Sequence, residues 1–202
     1  MHRRGHIGLT LLGIAPVLYV LLPEKPLLAV LALGVFVIEP LPDYDHRLRW
    51  LEHRKTSHSL LMAAFVGGIC SGLGWLLGQH ITLPLASLLS SLAAHEQAII
   101  AQLADQLALL DPFTMALIGG TIGAGGVLLH LLADAMTVNG IQPFLPFSRI
   151  RISFSSLYSD NPIVNVGLLL LGWLAIIVVT VLATPLSDLA AQIGGFLYST
   201  IG

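Results

Sequence analysis

Five histidines and three aspartates stand at or just beyond the ends of apolar runs: His6, Asp43, Asp45, His46, His53, His58, His130 and Asp134. Imidazole and carboxylate together are the usual protein donors for zinc, manganese or iron. His130 and Asp134 are four residues apart, so on a helix they project from one face and can share an ion. Asp43 and Asp45 flank Tyr44 in a turn stiffened by Pro42. Two carboxylates that close repel each other unless a cation or proton lies between them. A site with one or two divalent ions would lower the pKa of a bound water and clamp the oxygens of a phosphate ester. The expected ligands are His6, Asp43, Asp45, His58, His130 and Asp134. Asp43, His46 and His53 are the candidate catalytic groups, and for His46 and His53 a ligand or ligand-orienting role stays open. Thr137, one turn beyond Asp134, is expected to orient it. Arg54, Arg149 and Arg151 are the candidates for holding a substrate phosphate.

These residues are set in a chain of 202 residues that is 55% hydrophobic and only 10% charged, with a mean hydropathy of +0.87. A soluble domain carries about 25% charged residues, so the composition points to an integral membrane protein. Apolar segments run over 7–22, 27–41, 60–77, 113–135 and 163–183. Together they predict an all-α, polytopic helical bundle forming a single membrane domain over 1–202. The first two are short for a hydrocarbon core that takes about 20 helical residues, and Gly13, Pro16 and Gly34 interrupt them. Leu22-Pro23-Glu24-Lys25-Pro26 lacks small residues at cleavage positions, so the first segment reads as a retained helix. Gly67, Gly68, Gly72, Gly74, Gly78, Gly119, Gly120, Gly123, Gly125 and Gly126 suit close helix packing. The stretch 84–111 has helical apolar periodicity with polar residues between, and predicts an amphipathic helix or helical hairpin on the membrane surface or capping the bundle. Ser57 or Ser59 is placed to cap the third apolar helix, and Asp111-Pro112 to start the fourth.

Charge orients the bundle. If all five segments cross and the N-terminus is cytoplasmic, Arg3, Arg4, Arg47, Arg49, Arg54, Lys55, Arg149 and Arg151 fall inside and only Lys25 outside. That is a strong positive-inside asymmetry. It puts the histidine and aspartate cluster on the cytoplasmic face and the C-terminus outside. Glu39, just before the Asp pair, has three readings, a further ligand, a general base or a snorkelling boundary carboxylate, of which the last is favoured. The single cysteine, Cys70, reads as a packing residue.

The blocks Gly5-His6, Leu41-Pro42-Asp43-Tyr44-Asp45-His46, His53-Arg54-Lys55-Thr56-Ser57-His58-Ser59 and His130-Leu131-Leu132-Ala133-Asp134-Ala135-Met136-Thr137 occur in this order, continued by Gly140 and Pro146. Over about residues 1 to 155 the pattern resembles the bacterial and archaeal inner-membrane metal-dependent hydrolases of the YdjM-like, LexA-binding group. The resemblance implies a divalent-metal hydrolase embedded in the cytoplasmic membrane. More distantly, the pattern is similar to zinc-dependent phospholipase C and the single-strand-specific nucleases. Those all-helical enzymes share an early Gly-His, an intermediate Asp, a further His and a helical His-x-x-x-Asp. That likeness implies a multinuclear zinc phosphodiesterase site on His6, Asp45, His58, His130 and Asp134. No histidine follows His130 here, so one or two ions are expected rather than three. Asn161 and Asn165, with Asp160 beside them, stand where many members of the YdjM-like group carry an acidic residue near the start of the last helix.

The expectation is therefore a metal-dependent hydrolase of phosphoesters, with zinc the leading ion and manganese or iron alternatives. Membrane lipids are its surroundings, and a lipid-derived substrate suits a site at headgroup level. Basic residues are too few to predict a nucleic-acid partner. Two other functions compete. A transporter would need polar residues along a path through the membrane, and the third and fifth segments offer almost none. A non-catalytic adaptor would use a saturated metal site to pin helix ends together.

Overall fold

The computed structural model describes residues 1–47, 57–93 and 98–183, apart from the side chains of 45–47, 93, 98 and 99. All regular structure among them is helical, as expected. α1 (Arg3–Leu21) runs through Pro16 without ending. The second apolar segment is not one helix. It divides into α2 (Pro26–Ala32), which begins on a proline, and α3 (Val35–Ile38), followed by a 3-10 stretch, Leu41–Arg47. Pro40 and Pro42 explain the change of winding. Neither has an N–H to continue the α ladder, so the chain tightens, with Asp43 N donating to Pro40 O at 3.1 Å.

α4 (Leu60–Leu77) starts at Ser59, whose hydroxyl accepts from Met62 N at 3.2 Å. Past a π turn, Gly78–Thr82, it continues into α5 (Leu83–Ala93), and α6 (Ala98–Ala108) packs against α5. The amphipathic stretch is thus a helical hairpin built on the end of the third span. Pro84 removes an N–H and crowds the turn before it, and the widened turn at 78–82 absorbs that crowding instead of ending the helix. α7 (Pro112–Ala135) starts on the expected cap: Asp111 accepts from Thr114 N at 2.9 Å. α8 (Pro162–Ala183) is capped by Asn161, which accepts from Ile163 N at 3.0 Å.

Among the described residues, five stretches are long and apolar enough to cross a membrane: Arg3–Leu21, Pro26–Tyr44, Leu60–Leu92, Pro112–Ala135 and Pro162–Ala183. α1 packs along α8, and α4 along α7, with α3 also on α7. Glycine allows the close approaches. A Cβ on Gly8 would meet the backbone of Leu168, and one on Gly119 the carbonyl of Cys70. A Cβ on Gly126 would lie 2.8 Å from Ile38 Cβ and 3.2 Å from Glu39 N. Gly68, Gly72 and Gly125 meet no neighbour and take no part in the packing expected of them. Val20, Phe65, Leu170 and Leu182 point away from the protein, as lipid-facing side chains do.

Candidate metal centre

Four elements deliver their polar ends to one end of the bundle. His6 lies in the first turn of α1, Asp43 in the 3-10 stretch, His58 just before α4, and His130 and Asp134 in the last turns of α7. His130 is completely buried, and His6 and His58 nearly so. The Nε2 atoms of His58 and His130 face each other at 3.3 Å. Asp43 Oδ1 closes one triangle on that edge, at 3.6 Å from His58 and 3.5 Å from His130. Asp134 Oδ2 closes another, at 3.4 Å and 3.7 Å. Donors bonded at about 2.0–2.2 Å in a tetrahedral zinc site stand about 3.3–3.6 Å apart. The spacing fits.

Asp134 uses both oxygens. Oδ1 accepts from the Met1 ammonium at 2.7 Å and lies 3.3 Å from His6 Nε2. Its carboxylate therefore joins two donor groups, His6 with His130, and Asp43 with His58 and His130. Such a bridging position suits one or two ions. Behind them lies Glu39, buried, with Oε1 2.8 Å from His6 Nδ1 and 3.1 Å from His130 Nδ1. The two imidazoles stack at 4.3 Å between ring centres. Carboxylates behind metal-binding imidazoles fix ring orientation and tautomer. Ser57 Oγ does the same for His58, contacting Nδ1 at 3.0 Å and leaving Nε2 turned to the cluster.

Charge favours a cation. With neutral imidazoles, the carboxylates of Glu39, Asp43 and Asp134 bring negative charge to the cluster, and the Met1 ammonium lies against Asp134. A cation between the carboxylates lowers their mutual repulsion. Protonating the imidazoles instead sets imidazolium beside imidazolium, and charges about 4 Å apart repel by ~4 kcal/mol at an effective dielectric near 20. His6 gives a second indication. Both its ring nitrogens lie close to carboxylate oxygens, yet neither makes a directed hydrogen bond. For His58, burial acts to lower the imidazole pKa, but the carboxylates of Asp134 and Asp43 outweigh it and hold it above the ordinary value.

The segment after α7 roofs this end. Val138 N donates to Leu157 O, Ile141 and Ile152 exchange two hydrogen bonds, and Leu60 N at the start of α4 donates to Pro143 O at 2.8 Å. Gly140 takes a positive φ of 55°, and a Cβ there would strike Ile152 O. Beneath lies a cavity of about 230 Å³ reached by His58, Asp134, Thr137, Gln142 and Arg151.

The structure thus gathers His6, Asp43, His58, His130 and Asp134. Thr137 departs from its expected role: its hydroxyl donates to the main-chain carbonyl of Asp134 at 2.8 Å, closing the helix end, and does not touch the carboxylate. Arg151 lines the cavity and donates to Asn139 O. Arg149 is exposed and does not line it. The side chains of Asp45 and His46, and all of His53 and Arg54, lie outside the described residues. Sequence reading did not place the Met1 ammonium in the cluster, ranked Glu39 first as a boundary carboxylate, and noted Asn165 only for its position. Asn165, buried, accepts from His2 N at 3.1 Å and so ties α8 to the N-terminal residues. An acid at the inner end of an apolar run was the signal for Glu39. The reading as a boundary carboxylate is corrected: Gly126 lets it pack inside.

A five-span helical bundle with a histidine and carboxylate cluster at one end defines a class, the multi-pass membrane protein with a buried polar centre. The chain belongs to the YdjM inner membrane protein family, whose model matches residues 1–193, and it is a multi-pass inner-membrane protein. No curated protein and no solved structure matches the chain.

Proposed function

We propose that this protein is a divalent-metal-dependent hydrolase of phosphate esters, with its site on the cytoplasmic face. The observation that carries the reading is the facing pair of His58 and His130 Nε2 atoms, with Asp43 and Asp134 completing a triangle on either side. His6, Asp43, His58, His130 and Asp134 would hold one or two ions, zinc first among them and manganese or iron next. When bound, such an ion makes water nucleophilic near neutral pH and draws charge from phosphate oxygens.

This chain's own groups do the rest. Glu39 and Ser57 hold the imidazoles in orientation. Among the described donors Asp43 is the one largely open to solvent, with its side chain 57% exposed, so water and substrate approach past it. From there it can take a proton from the attacking water. Arg151 stands across the cavity with guanidinium N–H groups for a phosphate oxygen. Asp43's exposure favours a reacting centre over a sealed structural one. A membrane path for transport has less support: in α7, Thr121 is the one polar side chain between Thr114 and His130.

Elemental mass spectrometry of the detergent-purified protein tests the reading, beside a His130→Ala/Asp134→Ala variant. Between one and two equivalents of metal, lost in the variant, together with metal-dependent turnover of a generic phosphodiester or monoester, is expected. Wild-type protein that takes up none of the three ions on reconstitution would overturn it. Metal held without turnover of any phosphate ester would leave the adaptor in its place.

A further inference from the structure

We propose that residues 138–159 form a rim seated in the membrane's headgroup layer, through which the cavity takes the phosphate ester of a membrane lipid; the substrate half of this proposal rests on the hydrolase reading above. The segment joins α7 to α8, two membrane-crossing helices, so both its ends are held at one membrane face. It is short of polar cover. Phe147 stands 86% exposed, Tyr158 71% and Phe154 69%, with Ile150 exposed between them. Large apolar side chains this free of protein contact mark a docking surface. The side chains alternate with cations. Arg149 and Arg151 flank Ile150, and no aspartate or glutamate occurs from Met136 to Ser159. Aromatic rings with interspersed arginine and no acid match an anionic lipid surface, which takes apolar groups at the acyl boundary and cations at the phosphates. Beyond the exposed Asp160, which ends the acid-free stretch, α8 opens with the lipid-facing Ile163.

The same segment roofs the cavity. Gln142 and Arg151 line it from the rim side, His58 and Asp134 from the metal side. At about 230 Å³ it is smaller than the roughly 300–1,000 Å³ of pockets that enclose a drug-sized ligand. It has room for a headgroup but none for acyl chains, which stay in the bilayer. Water adds to phosphorus, the ester P–O bond breaks, and the proton from water ends on the released alcohol. The phosphate leaves on the other product.

Two measurements separate the halves. The first uses bimane on Phe147→Cys and Phe154→Cys in a Cys70→Ser background, in vesicles of phosphatidylethanolamine and phosphatidylglycerol. Blue-shifted emission, quenched several-fold more by lipids brominated near the headgroup than by aqueous iodide, is expected. Labels quenched chiefly by iodide overturn the seat. So do labels shielded from both quenchers in a protein that sediments as a dimer, since a second copy would then cover the rim.

The second compares a lipid phosphate ester in those vesicles with bis-p-nitrophenyl phosphate in solution, for wild type and Phe147→Ser/Phe154→Ser. The variant should lose tenfold or more on the lipid ester and keep its rate on the soluble one. Equal loss on both, or none on either, overturns the feeding role. No turnover of either ester by the metal-loaded wild type is the failure of the hydrolase reading, and removes the lipid substrate with it. The labels then still decide the seat.

Discussion

One oxygen, Glu39 Oε1, faces Nδ1 of both His6 and His130. In Glu39→Gln the shape survives, but the group no longer carries charge to hold two imidazoles in the ligand orientation. Metal affinity is expected to fall about 10–100-fold, the usual cost of an outer carboxylate, with the fold kept; a competition titration against a chelating dye reads it. Glu39→Ala goes further, leaving the buried Nδ1 of His130 without its partner, which costs about 1–3 kcal/mol of stability. His58 sets a pH dependence. Its pKa is held above the ordinary imidazole value by Asp134 and Asp43 against the opposing effect of burial. In the metal-free protein, the protonated imidazole therefore contributes stability that is fully present below about pH 6.5 and is lost as pH rises through the raised value. A cation needs the neutral imidazole, so metal affinity moves the other way and falls as pH drops. Melting curves across that range, with chelator and with metal, should diverge at high pH; parallel curves would mean that His58 is not a ligand. His6, His58, His130 and Asp134 were legible in the sequence because such residues are scarce in a chain this apolar. Glu39 was legible only as one of three readings, since its partners are set by which helix lets α3 approach.

That approach belongs to the elements. α3 reaches α7 at Gly126, where a Cβ would lie 2.8 Å from the branched Cβ of Ile38, an atom held by backbone. The next residue, Gly125, faces open space. One substitution therefore has opposite outcomes at adjacent positions. Gly126→Ala should cost about 1–3 kcal/mol through overpacking and weaken metal binding by displacing Glu39. Gly125→Ala should be neutral or add a few tenths of a kcal/mol from helix propensity. Thermal unfolding in detergent and the dye titration read both effects, and a Gly126→Ala protein with unchanged metal affinity would separate Glu39 from the site. Ser59→Ala, removing the cap of α4 beside His58, should cost about 1 kcal/mol. The caps at Ser59 and Asp111 and the five apolar segments were readable, because each depends on local sequence. The division of the second segment and the joining of α4 to α5 were not. There, prolines act in opposite ways, Pro40 with Pro42 ending α winding and Pro84 being absorbed by a π turn, and the difference lies in the neighbours each helix end finds.

At the scale of the molecule, length and charge assign its two ends. Leu60–Leu92 is a continuous helical run of 33 residues, about 50 Å at 1.5 Å per residue, against a hydrocarbon core of about 30 Å. It starts beside His58, so the surplus of about 20 Å emerges at the end away from the histidine and carboxylate cluster and carries the α5–α6 hairpin with it. Basic residues are gathered at the opposite end. Arg3, Arg4, Arg149 and Arg151 lie on elements next to the centre, while Lys25 stands alone between α1 and α2. From this asymmetry the positive-inside rule predicts a cytoplasmic centre and a hairpin outside. Single cysteines in a Cys70→Ser background test this in intact spheroplasts with a membrane-impermeant maleimide. Glu24→Cys and Ser91→Cys, both exposed at the far end, should label at once. Asp160→Cys, exposed beside the start of α8, should label only after lysis. The reverse pattern would turn the bundle over against its own charge asymmetry. The centre would then face the outer leaflet, and any lipid ester it hydrolyses would have to reach it from that side.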